Sequence, residues 1–458
     1  MRRGIVIALL LSILLPPAPA KTADICSLTL PNGLEVITFD SHNIPLVTIC
    51  MVVRMGAFVE TPEYNGLSHL CEHMHIIGGN RTTPTEEETK ERLRKLGTEI
   101  GELTNAFTDI ESTVYWLTLP RDNLEEGMEF LKDIIVFPLF DSQELSEEKR
   151  VVLAEYDIHD TNPLDYFQRK VRESLFYEYP SRVDILGDRA VIATASREKL
   201  LELKERYYLP NNSVLVITGD IDTSEAERLA EGIFGDWPRG DDPWVKYPVP
   251  HHPPLAQPQA LIVVRPVSTI TLRLSFQGPC TSQDEKATYT SDVFCAILNN
   301  PSSSFQKSLV DSGPFSYISV SRLVYRYCGM VDIVAQTDRE NFPEARKALL
   351  REVQKLSHPS YFTDEEMEVA QSRLEAQLNY DREKPSKFAS FLGQRWCISS
   401  LDYYLNYAQN IQQVDRRAME CFINTYVTDQ PFVLGVLLSD EDQRALKLKQ
   451  KELLCSGR

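Results

Sequence analysis

The chain has 458 residues, with 48 Lys and Arg against 66 Asp and Glu for a net charge of −18, and 43% of its residues are hydrophobic. That length exceeds what one core can organise and predicts two or more domains of ordinary globular composition. The acidic balance argues against nucleic acid as a partner, because phosphate binding needs a basic surface, and it disfavours strongly acidic substrates.

In chain order, "MRRGIVIALLLSILLPPAPA" joins a basic start at Arg2 and Arg3 to an apolar run, Ile5 to Leu15, of about 11 residues, too short to cross a bilayer. Ala18-Pro19-Ala20 has the small-x-small form of a cleavage site. Residues 1–20 therefore read as a secretory signal peptide, with a buried N-terminal helix or an uncleaved anchor as the alternatives. The expected location is exported: periplasmic if the source is a Gram-negative bacterium, secreted otherwise. No later stretch has the length and apolarity of a membrane helix. The nine cysteines are odd in number, scattered and without a C-x-x-C pair, so no disulfide pairing, cysteine zinc site or redox motif is assigned.

"SLTLPNGLEVITFD" and "PLVTICMVVRMGAF" are β-branched and read as strands, broken by the turn signal Pro31-Asn32-Gly33. After a histidine-rich stretch, "TPTEEETKERLRKLG" has helical spacing. "EIGELTNAFTDIESTVYWLTLP" reads as two strands around a turn at Asp109. "DNLEEGMEFLKDIIVFP" and "DSQELSEEKRVVLAEYDIHD" read as amphipathic helices, and "NSVLVITGDID" as a strand. Trp237 to Pro258 holds seven prolines, which predicts a linker without helix or central strand, and His251 and His252 within it are expected to be solvated. The chain then starts again: strands in "ALIVVRPVSTITLRLSFQG", a helix in "DEKATYTSDVFCAILNN", a strand in "YCGMVDIVAQTD", two helices over 340–383, and a closing strand in "QPFVLGVLLSD". The repeated order predicts two α+β halves of roughly 200 residues each. The expected division is an N-terminal α+β domain over 21–238, which holds the histidine-rich stretch, a proline-rich linker over 239–257 and a second α+β domain over 258–458.

The stretch "GLSHLCEHMHIIGGN" spends three of the chain's eight histidines within seven residues. On a helix, His69 and His73 share one face, and Glu72 lies beside it. Two imidazoles at i and i+4 can hold one metal, and an adjacent carboxylate can take a proton from a water acidified by that metal. The spacing is H-x-x-E-H, the inverted form of the zinc-protease helix. The alternatives are a solvated helix face or a histidine satisfied inside a core, and the latter is the reading for His75. A third ligand should be an acid on another element. In "SEEKRVVLAEYD", Glu148 and Glu155 are seven residues apart and so share a face, which Val151, Val152 and Leu153 mark as partly buried.

These residues resemble the pitrilysin-type inverzincin metallopeptidases, the family of insulin-degrading enzyme and mitochondrial processing peptidase. "GLSHLCEHM" is similar to that family's zinc helix, "GELTNAFTDIESTVYW" to its G-x-x-x-N-A-x-T region, "EEKRVVLAE" to its distal glutamate helix and "YYLPNNSVLVITGDID" to the strand closing its first domain. "LRLSFQGP", "LDYYLNY" and "NIQQVDRRAMECFINTY" extend the likeness through the second half. The resemblance implies two homologous pitrilysin-like domains, each a mainly antiparallel sheet packed with helices. It implies one zinc ion per chain on His69, His73 and Glu155, Glu72 as general base, and Glu148 as the acid steadying a ligand from behind. Asn105 and Ala106 fall on the strand along which substrate is laid. The family's second domain offers an arginine and, seven residues later, a tyrosine that stabilise the oxyanion. Tyr317 fits the tyrosine, but Val310 stands at the arginine position, and Arg322 is the nearby candidate to replace it.

The reading is a secreted zinc endopeptidase acting on unfolded peptides, the length resembling half-size members that pair as homo- or heterodimers with a pitrilysin-like subunit. The alternatives are a non-catalytic or partner-dependent subunit, which Val310 favours, and a metal carrier, which would need no base beside the metal. Neither nucleic acid nor a stable membrane span after signal cleavage is expected.

Overall fold

The computed structural model describes residues 25–454, so the expected signal peptide lies outside the described residues. Among the described residues no helix is long and apolar enough to cross a membrane. Among the described residues, eleven strands form two sheets. The first contains β1 (Ile25–Thr29), β2 (Glu35–Asp40), β3 (Leu46–Val53), β4 (Thr104–Thr108), β5 (Thr113–Pro120) and β6 (Ser213–Gly219), in the order β1-β2-β6-β3-β5-β4. The second contains β7 (Gln259–Val264), β8 (Ile270–Gln277), β9 (Tyr317–Val324), β10 (Gly329–Thr337) and β11 (Phe432–Leu438), in the order β7-β11-β8-β10-β9. Apart from β1, the two orders superimpose strand for strand. Each sheet is antiparallel except for one parallel pair at the same place, β2 with β6 and β7 with β11. The fold is α+β in two sheets packed with helices.

The sequence-level strands are present with three differences. The first two stretches carry three strands, because Pro31-Asn32-Gly33 reverses the chain between β1 and β2, with Gly33 at φ +92°. Strand β9 went unread in the sequence, since Ser319, Ser321 and Arg322 break its apolar pattern. The proline segment contains one helical turn, Pro243–Lys246, which tolerates Pro243 at its first position, where the missing N–H costs nothing.

Both faces of the first sheet are buried. Val47, Ile49, Met51 and Val53 of β3 enter one core, with helices of the first half, while Cys50 and Val52 face another. That second core is completed by a helix from the other half, Pro385–Ile398, through Phe388, Ala389, Leu392 and Trp396. The reverse also holds. Helix Pro163–Leu175 of the first half lays Phe167 and Val171 on the second sheet. Both exchanged helices begin with proline directly after a long helix, Ser142–Thr161 and Asp364–Asp381 respectively. Glycine permits the close approach in each case: a Cβ on Gly435 would lie 2.7 Å from the Phe167 ring, and one on Gly393 would lie 2.3 Å from a Val52 methyl.

The exchange makes each sheet's stability depend on the other half. Phe167→Ala should cost about 3–5 kcal/mol and raise amide hydrogen exchange in β8 and β11, although Phe167 belongs to the first half. Exchange raised only in the first sheet would contradict the packing.

Candidate metal centre

The histidine stretch folds as the helix Leu67–Ile76. Its first turn has no cap from its own sequence, since Gly66 stands at the N-cap with φ +92°. The capping group is Glu60, a buried carboxylate that accepts from Gly66 N at 2.7 Å and Ser68 N at 2.6 Å. Burial pushes the Glu60 pKa up to about 7, against the pull of these donors. Asn65 donates to the carbonyls of Ser181 and Asp184. A Cβ on Gly187 would meet Gly66 Cα at 2.2 Å, so the helix start is fixed against the 181–188 segment. Glu60 was missed in the sequence because it lies six residues upstream of Gly66, outside any local capping pattern.

Helix Ser142–Thr161 supplies the opposing acids, its own N-terminus capped by Asp141. Its inward stripe is Leu145, Glu148 and Val152. Val151, expected on the buried side, is 43% exposed, because the i, i+4, i+7 face passes through Val152 instead. His69 Nε2 and His73 Nε2 each lie 3.6 Å from Glu155 Oε2, and one ligand atom from each of the three residues falls within 4.8 Å of the others. The His69 and His73 rings meet edge to face at 4.9 Å. His73 Nδ1 is 2.9 Å from Glu148 Oε2. That bond places the proton on Nδ1 and leaves Nε2 as the nitrogen turned toward Glu155. His69 Nδ1 is buried without a hydrogen-bond partner among the described residues.

The electrostatics follow from this crowding. Burial, helped by the charge on His73, lowers the His69 pKa to about 4. Burial also works against a charge on His73, but Glu148 and Glu155 outweigh it and raise that pKa to about 10. Glu72 is 7% exposed, and burial pushes its pKa up to about 7 despite the neighbouring His73 and a hydrogen bond at 2.9 Å from Thr108 Oγ1. Two imidazole nitrogens and a carboxylate oxygen converging on one point fit a borderline divalent metal such as zinc.

The remaining predicted residues divide. Asn105 and Ala106 lie on β4, the edge of the first sheet beyond β5, and the Ala106 N–H is held by the Asn105 side chain at 2.9 Å. Tyr317 begins β9, the edge of the second sheet, and is half exposed. No hydrogen bond, ion pair or ring contact among the described residues joins it to the histidine cluster. Val310 sits in a π-helical turn, Lys307–Asp311, packed on the second core. Arg322 is engaged elsewhere: its guanidinium pairs with buried Asp292. His75 is the core histidine expected, bonded to the Cys71 carbonyl at 2.7 Å and stacked on Tyr208. His252, expected to be solvated, is tucked against Phe176 and Tyr179, and burial lowers its pKa to about 4. A cavity of about 570 Å³ lined by Phe276, Leu350 and Phe432 lies in the second half and includes none of these residues.

Comparison with known proteins adds three kinds of likeness. Residues 35–189 match the insulinase family of peptidases, M16, and residues 194–374 match the M16 inactive domain. An uncharacterised zinc protease of Rickettsia bellii is 25% identical over 375 residues, 81% of this chain and 86% of its own length. In fold, the chain resembles a protease from Helicobacter pylori, with a TM-score of 0.79 over 91% of this chain and 99% of the other at 18% identity. It also resembles the first half of the periplasmic protease PqqL from Escherichia coli, with a TM-score of 0.76 over 94% and 95% at 19% identity.

If Glu148 orients His73, Glu148→Ala should weaken zinc affinity by about 10–100-fold, read by competition with a chelator. Unchanged affinity would remove Glu148 from the site.

Proposed function

The chain belongs to the insulinase family M16 of zinc-dependent peptidases, and from that membership and the geometry of its centre we propose that it is an exported endopeptidase acting on unfolded peptides. The observation that carries the reading is the meeting of His69 Nε2, His73 Nε2 and Glu155 Oε2 beside the buried carboxylate of Glu72. His69, His73 and Glu155 would hold one zinc per chain, with Glu148 fixing the His73 ring. When bound, zinc supplies a Lewis acid that acidifies water and polarises a carbonyl. Glu72 takes the proton of the attacking water and returns it to the departing amine. The peptide adds to the β4 edge at Asn105 and Ala106 through main-chain hydrogen bonds, which only an extended chain can make. Export is supported by the character of residues 1–20 and by the likeness to a periplasmic protease, with the periplasm as destination in a Gram-negative source.

Glu72→Gln is nearly isosteric but cannot take the proton. It should keep stoichiometric zinc and lose about a hundredfold to ten-thousandfold in kcat on an unfolded fluorogenic peptide. Near wild-type turnover with zinc bound would overturn the base assignment.

A second reading, a partner-dependent subunit, is favoured by Val310 at the arginine position and by the engagement of Arg322 with Asp292. The missing donor would then come from a second pitrilysin-like chain, and Tyr317 would act only within that pair. The purified chain alone should bind zinc but cleave slowly. A partner carrying the arginine–tyrosine pair should raise the rate by about a hundred- to a thousandfold. Robust cleavage by the isolated chain, unaffected by any partner, would decide for the autonomous enzyme.

A further inference from the structure

Glu72 is held from outside its own helix, and the holder leads to the second half. Thr108, the last residue of β4, donates its hydroxyl to Glu72 Oε2. Glu72 has three rotatable side-chain bonds, so the donors of Thr108, its hydroxyl and its backbone N–H, decide which way the carboxylate faces. Directly after Thr108 the chain turns through Asp109–Ser112 into β5, and the tip of that turn is gripped from the other half. Glu111, 3% exposed, accepts from Arg326 N at 2.6 Å and Tyr327 N at 3.1 Å. The Tyr325 hydroxyl donates to Asp109 Oδ1 at 2.8 Å. Cys397 Sγ donates to the Glu111 carbonyl at 3.2 Å, and Tyr327 stacks on Phe58 at 5.1 Å. Residues 325–328 are the turn between β9 and β10, so the two edge hairpins meet tip to tip.

We propose that Thr108 is the positioning residue of the base Glu72, and that the second half fixes Thr108 in place through Glu111. This rests on the reading of Glu72 as base. It gives the second half a role in hydrolysis that needs no arginine at position 310. A buried carboxyl satisfied by two backbone N–H groups is a rigid joint, because losing either partner strands polar groups in a dry site. The edge strand that would receive the peptide and the residue that aims the base are thereby set by one joint.

The test uses the zinc-loaded chain, alone or paired as activity requires, and the fluorogenic peptide. Thr108→Val keeps the shape and removes the hydroxyl, leaving the backbone N–H, while Thr108→Ser keeps both donors. Thr108→Val should lower kcat roughly ten- to a hundredfold, the worth of a hydrogen bond to a charged group, with KM and zinc content unchanged, and Thr108→Ser should stay near wild type. Glu111→Gln should also lower kcat, and the double variant Thr108→Val/Glu111→Gln should be no worse than Thr108→Val, because both act on one element. If Glu111→Gln does not fold, Tyr325→Phe replaces it. Apart from turnover, crystal structures should show Glu72 in more than one rotamer in Thr108→Val and in one rotamer in Thr108→Ser. Wild-type kcat or an unmoved Glu72 in Thr108→Val, or equal damage in Thr108→Ser, would overturn the role of Thr108. Additive losses would overturn the link to Glu111. A Glu72→Gln chain that still cleaves would instead remove the reading beneath both.

Discussion

The histidine cluster depends on a carboxylate that touches none of its three converging ligand atoms. Helix Leu67–Ile76 is only ten residues long and begins at a left-handed glycine, so its first turn would leave orphan N–H groups in a buried place. Glu60 satisfies two of them from a separate loop. Hydrogen bonds to a charged group contribute about 1.5–3 kcal/mol each, comparable to what burying the carboxylate costs, so the arrangement holds only while both sides are present. Because the helix start is pinned at Gly66 against Gly187, the 3.6-residue repeat places His69, Glu72 and His73 relative to the rest of the fold and not merely to one another.

The second half enters this arrangement through packing. The first sheet is apolar on both faces, and helices of its own half cover only one. Helix Pro385–Ile398 covers the other, and Pro163–Leu175 does the same for the second sheet. A further seam runs through Arg54, which donates to the Trp396 carbonyl and lies over its ring, while Trp396 Nε1 donates to Glu35. The halves are therefore one cooperative body. A chain whose second half has lost a contact to substrate still needs that half for its first sheet to stand.

What could be read from the sequence was what repeats locally. The i, i+4 histidines, the heptad-spaced Glu148 and Glu155, the β-branched strands and the restart after the proline segment all carry a periodicity that local sequence expresses. Glu60, Thr108 and Glu111 carry none: each acts across a tertiary contact, and a lone acid or threonine in a loop looks like any other. The proline segment misled for a related reason. Proline forbids regular structure but not burial, and His252 packs on Phe176 because the linker lies against the protein. Strand β9 was hidden because an edge strand with one polar face lacks the apolar run that marked β6 and β11.

Comparing the same place in the two halves shows what separates them chemically. In the first, helix Leu67–Ile76 carries His69, Glu72 and His73, and the edge strand β4 reaches it with a neutral hydroxyl from Thr108. In the second, the corresponding helix Thr281–Leu298 has no histidine, and the edge strand β9 reaches it with Arg322, which pairs with Asp292 while the Tyr407 hydroxyl takes the other Asp292 oxygen. Each half thus carries a buried acid between helix and edge strand, and each must neutralise it. The second half does so internally, with a guanidinium that cannot leave. The first sets its acid beside His69 and His73, whose Nε2 atoms turn toward Glu155. The shared topology fixes the position of the acid; the residue facing it from the edge strand decides whether it meets a guanidinium or a neutral hydroxyl.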